Sequence, residues 1–173
     1  MSKTSFIAAL LLWLSIAAKA QQPTLIQRQI DSLVYLNRQP FDCNSAYWRV
    51  VAAGKKAIPF LITKLIDTTA TNVMLTCKTT NVKLGDICYD ALNKILFIPV
   101  FDVLKMQFDE FDTHGCMEGL FDYLNENRQL CASKILAYYT KHKSHLTFIR
   151  DYSYLNKSCE IQNNIRGYYH FAD

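Results

Sequence analysis

The chain has 173 residues, half of them hydrophobic and 20% charged, with five Gly, four Pro and a formal net charge of +4. That excludes a disordered chain, which carries too few apolar residues to bury, and a collagen-like one, which needs Gly and Pro in quantity. Beyond the first twenty residues no segment approaches the roughly 18 consecutive apolar residues that a membrane helix needs.

The N-terminus reads as a secretory signal peptide over residues 1–20. Lys3 supplies a positive start, Phe6 to Ala18 an apolar stretch, and Ala18-Lys19-Ala20 a small-x-small cleavage pattern. The stretch is too short for a span of about 20 residues. Cleavage leaves residues 21–173, the length of one ordinary domain, and no membrane span. It also removes Lys3 and Lys19, so the charge falls to +2. Such weak basicity argues against nucleic acid as a partner. The expected compartment is outside the cytoplasm, periplasmic or extracellular.

The mature part is predicted to be all-α, a compact domain of about six helices with an irregular Tyr-rich C-terminal tail. Apolar residues at helical spacing place a first helix over 24–37, with Thr24 as its N-cap. A second covers 45–53 and is closed by Gly54. One of its neighbours Tyr47 and Trp48 is expected in the core. A third runs over 56–66 with Pro59 in its first turn, where a missing N–H costs little. Thr68 to Asn81 reads as a long loop carrying Cys77. Asp86 is expected to cap a fourth helix, and Pro99 follows it. A further helix runs from Asn125 or Asn127 to Lys141, with Leu130, Ile135, Leu136 and Tyr139 inward. No strict period-two alternation extends over six residues, which is why no strand is predicted.

Charge is segregated along the chain. Asp102 to Glu126 holds Asp102, Asp109, Glu110, Asp112, Glu118, Asp122 and Glu126 against Lys105 alone, whereas the segments on either side are basic. Six cysteines follow the signal: Cys43, Cys77, Cys88, Cys116, Cys131 and Cys159. An even count in an exported chain favours disulfides, and all six are candidates. Cys88 and Cys131 fall inside helical patterns, where cysteine also packs as a buried thiol. No CxxC pair calls for a redox or zinc site, and nothing in the sequence calls for a cofactor.

The sharpest local feature is Asp109-Glu110-Phe111-Asp112-Thr113-His114-Gly115-Cys116, with Glu118 nearby. Its ordinary reading is a solvated acidic turn. As a calcium loop starting at Glu110, its twelfth position is Phe121 instead of the required Glu, so that reading fails. A Cys–His nucleophile from His114 and Cys116 lacks an oxyanion motif. Asp109, Glu110, Asp112, His114 and Glu118 are therefore the expected partner-binding residues, an acidic patch for a basic protein surface. Lys141-His142-Lys143-x-His145 is a basic helix end that suits the helix dipole, or an acidic partner.

The segment from Val50 to Asp67, with Gly54, Ala57, Pro59, Leu61 and Leu65 in place, resembles one helical hairpin of a HEAT-like repeat. Gly85 to Ile95 looks like the start of the next unit, so the resemblance spans about residues 48–97. Residues 127–146 are similar to terminal helices of small exported bacterial helical proteins. HEAT-like units bury their apolar stripes by stacking. The resemblance implies an interaction role without naming the partner. A small exported helical domain with disulfides and an acidic patch is expected to be a non-enzymatic protein-binding module, for example an immunity-type or envelope accessory protein. The rival expectation is a periplasmic hydrolase or metal-dependent enzyme using the His114 region.

Overall fold

Thr24 opens the first helix through a reciprocal cap. Its hydroxyl accepts the Gln27 N–H at 3.3 Å, and its own N–H donates to Gln27 Oε1 at 2.7 Å. The structure is a computed structural model that describes residues 24–37, 41–74, 80–106, 119–151 and 158–172. The signal peptide expected over residues 1–20 lies outside them. Helix α1 (Leu25–Asp31) tightens into a 3-10 turn over Ser32–Tyr35.

Helix α2 (Ala46–Ala52) buries both Tyr47 and Trp48. The sequence reading placed only one of them in the core. Both fit because each polar tip has a partner: Tyr47 donates to Asp90 Oδ2 at 2.6 Å, and Trp48 Nε1 donates to the Phe41 carbonyl at 3.3 Å. Gly54 follows at φ +56°, a left-handed conformation that suits glycine, and closes α2 as its position predicts. Helix α3 (Ile58–Lys64) carries Pro59 in its first turn and buries Ile58, Leu61 and Ile62.

The Thr-rich loop is tied at its base. Leu84 N–H donates to the Thr69 carbonyl at 2.9 Å and Val82 N–H to the Val73 carbonyl at 2.8 Å. The Thr71 hydroxyl donates to the Val82 carbonyl at 2.7 Å, which satisfies a buried polar group.

Helix α4 (Leu84–Ile95) lies against α3 and α2 and is buried along most of its length. Asp86 is not its N-cap residue. It caps the helix from the third position of the first turn, where its carboxylate accepts the N–H of the N-cap residue Lys83 at 2.8 Å, and it is only 1% exposed. A Cβ on Gly85 would lie 2.4 Å from the Leu65 carbonyl oxygen, so only glycine lets the end of α3 approach this closely. Two further short helices, α5 (Val100–Leu104) and α6 (Leu120–Glu126), escape the sequence reading.

Helix α7 (Arg128–His142) corrects the predicted phase. Ile135 is buried, but Leu130 and Leu136 are 44% and 40% exposed, and the inner face is Cys131, Ala132 and Ile135. Arg128 anchors its start. One guanidinium nitrogen donates to Asp86 Oδ1 at 2.7 Å and the other to the Leu65 carbonyl at 3.0 Å.

The fold is mostly helical, with one addition to the all-α expectation. Strand β1 (Leu146–Arg150) pairs antiparallel with β2 (Gly167–Phe171), Phe148 opposite Tyr169 and Arg150 opposite Gly167. Each strand has five residues, too short to show a six-residue alternation. Helix α8 (Ser158–Gln162) stands between them in the chain. Among the described residues no helix is long and apolar enough to cross a membrane.

Candidate functional site

The C-terminal segment is latched onto the chain beside α2 by one covalent bond and two amide contacts, with a third amide bond inside the segment. Cys43 and Cys159 form a disulfide with Cα atoms 4.7 Å apart at a sequence separation of 116. Asn163 Nδ2 donates to the Cys43 carbonyl at 2.8 Å and the Cys159 carbonyl at 2.9 Å, and Gln162 Nε2 to Asn44 Oδ1 at 2.8 Å. The chain then reverses at Asn164, which adopts a left-handed φ of +56°. Asparagine tolerates that region better than most residues.

From this turn β2 runs beside the end of α4, where Phe97 N–H donates to the Tyr169 carbonyl at 2.8 Å. A cleft of about 230 Å³ opens between the end of α2, the outer side of α4, and the inner face of the sheet. Lys94, Arg150 and Arg166 line it, together with Phe148 and Tyr169, whose rings meet at 5.2 Å. Arg166 Nε donates to Asn164 Oδ1 at 2.8 Å, which fixes its direction. Lys94 Nζ lies 4.0 Å from buried Glu160. Two guanidinium groups and one ammonium thus share a cleft with an aromatic wall. Such a set suits a carboxylate or another anionic group, because a guanidinium donates paired N–H bonds to its two oxygens.

The cysteine expectations divide. Cys43 and Cys159 are brought together, Cys88 and Cys131 are buried free thiols, and Cys77 and Cys116 lie outside the described residues. Burial raises both thiol pKa values, so neither has the thiolate character that makes a cysteine reactive. Asp109, Glu110, Asp112, His114 and Glu118 also lie outside the described residues. At the basic helix end, His142 Nδ1 is 2.9 Å from the Tyr138 carbonyl, with the two rings 4.2 Å apart. Among the described residues no group of three His, Cys, Asp or Glu is placed to hold a metal.

Sequence reasoning missed the cleft. Its charges come from residues 94, 150 and 166, which share no linear spacing. The legible signals were the basic excess after residue 127 and Cys159. No protein-family model, curated protein or solved structure matches the chain.

Proposed function

We propose that the protein is an exported helical binding module that docks an acidic face of a protein partner in its basic cleft. The observation that carries this reading is the convergence of Lys94, Arg150 and Arg166 on one aromatic-walled cleft. Export is supported by the signal-like N-terminus and by the Cys43–Cys159 disulfide, which is compatible with an oxidising compartment. The HEAT-like reading of residues 48–97 is supported by α2 ending at Gly54, Pro59 opening α3, and α3 packing on α4. An immunity-type protein or an envelope accessory subunit is the concrete form of this role.

The test is affinity capture of the partner from the native envelope, using the mature chain and its Lys94→Glu, Arg150→Glu, Arg166→Glu variant. Capture is lost in the triple variant while the helical circular dichroism is unchanged. Unchanged capture rejects the cleft. In parallel, Asp109→Lys, Glu110→Lys and Asp112→Lys leave capture intact. Loss there moves the docking face to the acidic segment.

A further inference from the structure

The cleft continues onto an open sheet edge. Asp151 N–H donates to the Arg166 carbonyl at 3.0 Å, and Ala172 N–H to the His145 carbonyl at 2.9 Å. Both pairs continue the β1–β2 register one residue beyond its ends. In an antiparallel pair, residues alternate between those whose N–H and C=O face the partner strand and those whose groups face away. Residues 145, 147, 149 and 151 therefore turn their backbone toward β2. Leu146, Phe148 and Arg150 turn theirs to the opposite edge, where no described residue bonds to them.

That edge is lightly protected. Natural edges are blunted by Pro, by charged side chains, especially Lys, or by a bulge, and β1 carries a single charge, Arg150, at its end. β1 has no Pro and no Lys, its register is continuous, and Phe148 is 47% exposed. The side chains of Phe148 and Arg150 share the inner face with Tyr169 and line the cleft.

We propose that β1 receives an extended acidic segment of the partner as an added antiparallel strand. This rests on the cleft being the docking face. The partner's identity follows from charge and register. A residue paired directly with Arg150 lies beside its side chain on the same face of the sheet, and a carboxylate there complements the guanidinium charge. Two residues on, the position opposite Phe148 is apolar, and so is the next one, opposite Leu146. The recognised pattern is acidic-x-apolar-x-apolar, with main-chain bonds giving affinity and the alternate side chains giving specificity.

The test uses the intact mature chain and a short fluorescein-labelled peptide in which threonine alternates with glutamate, tyrosine and valine, in that order. Binding is read by anisotropy. Phe148→Pro removes an outward N–H that the β1–β2 ladder does not use, and proline is tolerated on such an edge. It weakens binding about tenfold or more, whereas Phe148→Ala, which keeps the N–H, weakens it by only about threefold. Amide exchange at Tyr168 and His170 reports that the ladder has survived. A second probe avoids altering the protein: N-methylation of the peptide amides that face β1 removes binding, and methylation of the others does not.

Equal binding by the Pro and Ala variants, together with indifference to N-methylation, overturns strand addition. If the cation reversals still remove binding, the cleft reading survives that result. If they do not, the cleft reading fails as well. A wild-type dimer that dissociates on Phe148→Pro assigns the edge to a second copy and overturns the proposal.

Discussion

The helical layer from Leu25 to Leu104 and the C-terminal strap from Ser158 to Phe171 are held by different forces. In the layer, Leu33, Val50, Leu61, Ile87 and Leu92 are fully buried in one core formed by α2, α3, α4 and the 3-10 turn after α1. In the strap, the residues of β2 after Gly167 are only half-buried and Ile161 is exposed. The strap is held instead by the Cys43–Cys159 bond, the Asn163 and Gln162 amides, and its ladder to β1. A segment that buries little apolar surface cannot offset the entropy of its own ordering by packing. A covalent link lowers that cost by constraining the unfolded chain. The cleft lies where the two regions meet, so one wall is set by packing and the other by a staple.

The largest expected effect falls inside the layer. Asp86 is 1% exposed and its charge is met by Arg128. Removing one member of a buried pair leaves an uncompensated charge, so Arg128→Ala costs about 3–5 kcal/mol, read by urea denaturation. A smaller loss would show that water or another group replaces the guanidinium.

The next effect separates the two regions directly. Cys43→Ser with Cys159→Ser costs about 2–4 kcal/mol. Hydrogen exchange should show α8 and β2 losing protection while α3 and α4 keep theirs. Loss of protection in α3 and α4 as well would make the strap part of the same cooperative unit.

The smallest effect sharpens the contrast on the layer's surface. Lys64 Nζ lies 2.7 Å from Asp31 and 3.3 Å from Asp67. The hydrogen bond to Asp31, partly opposed by desolvation, holds the Lys64 pKa above its ordinary value. For Asp67, burial pushes upward, but the Thr69 hydrogen bonds and Lys64 prevail, and its pKa lies below the usual 3.8. These groups are partly exposed, so Lys64→Met costs only about 0.5 kcal/mol near neutral pH. A depressed carboxylate pKa gives stability that is present above 3.8 and lost as pH falls through the folded value. The difference between wild type and variant, measured by thermal melts, therefore disappears in acid.

Legibility followed the range of the interactions involved. Thr24, Gly54 and Pro59 act within one helical turn, and each marks a helix boundary where its residue type predicts. The face of α7 was read in part: Ile135 is buried and Tyr139 packs against the core as expected, but the rest of the buried side is Cys131 and Ala132, smaller and less apolar than the exposed Leu130 and Leu136. Asp86 suggested a cap from sequence alone. It does cap α4, through the Lys83 N–H three residues back, but its burial against Arg128, which lies 42 residues away, is not legible in the sequence. The strands were hidden by their shortness. Gly167 gives the reason for their close approach only after folding, since a Cβ there would lie 1.8 Å from the Ile149 carbonyl oxygen.

The sequence by itself determined a mostly helical fold, the boundaries of its first helices, and the presence of thiols suited to bonding. Those properties depend on side-chain volume and on hydrogen bonds between near neighbours. Only the tertiary structure decided which cysteines meet and that Lys94, Arg150 and Arg166 share a cleft. It also decided which edge of β1 stays open. These are contacts between residues far apart in the chain, and their geometry is set by how the helices pack.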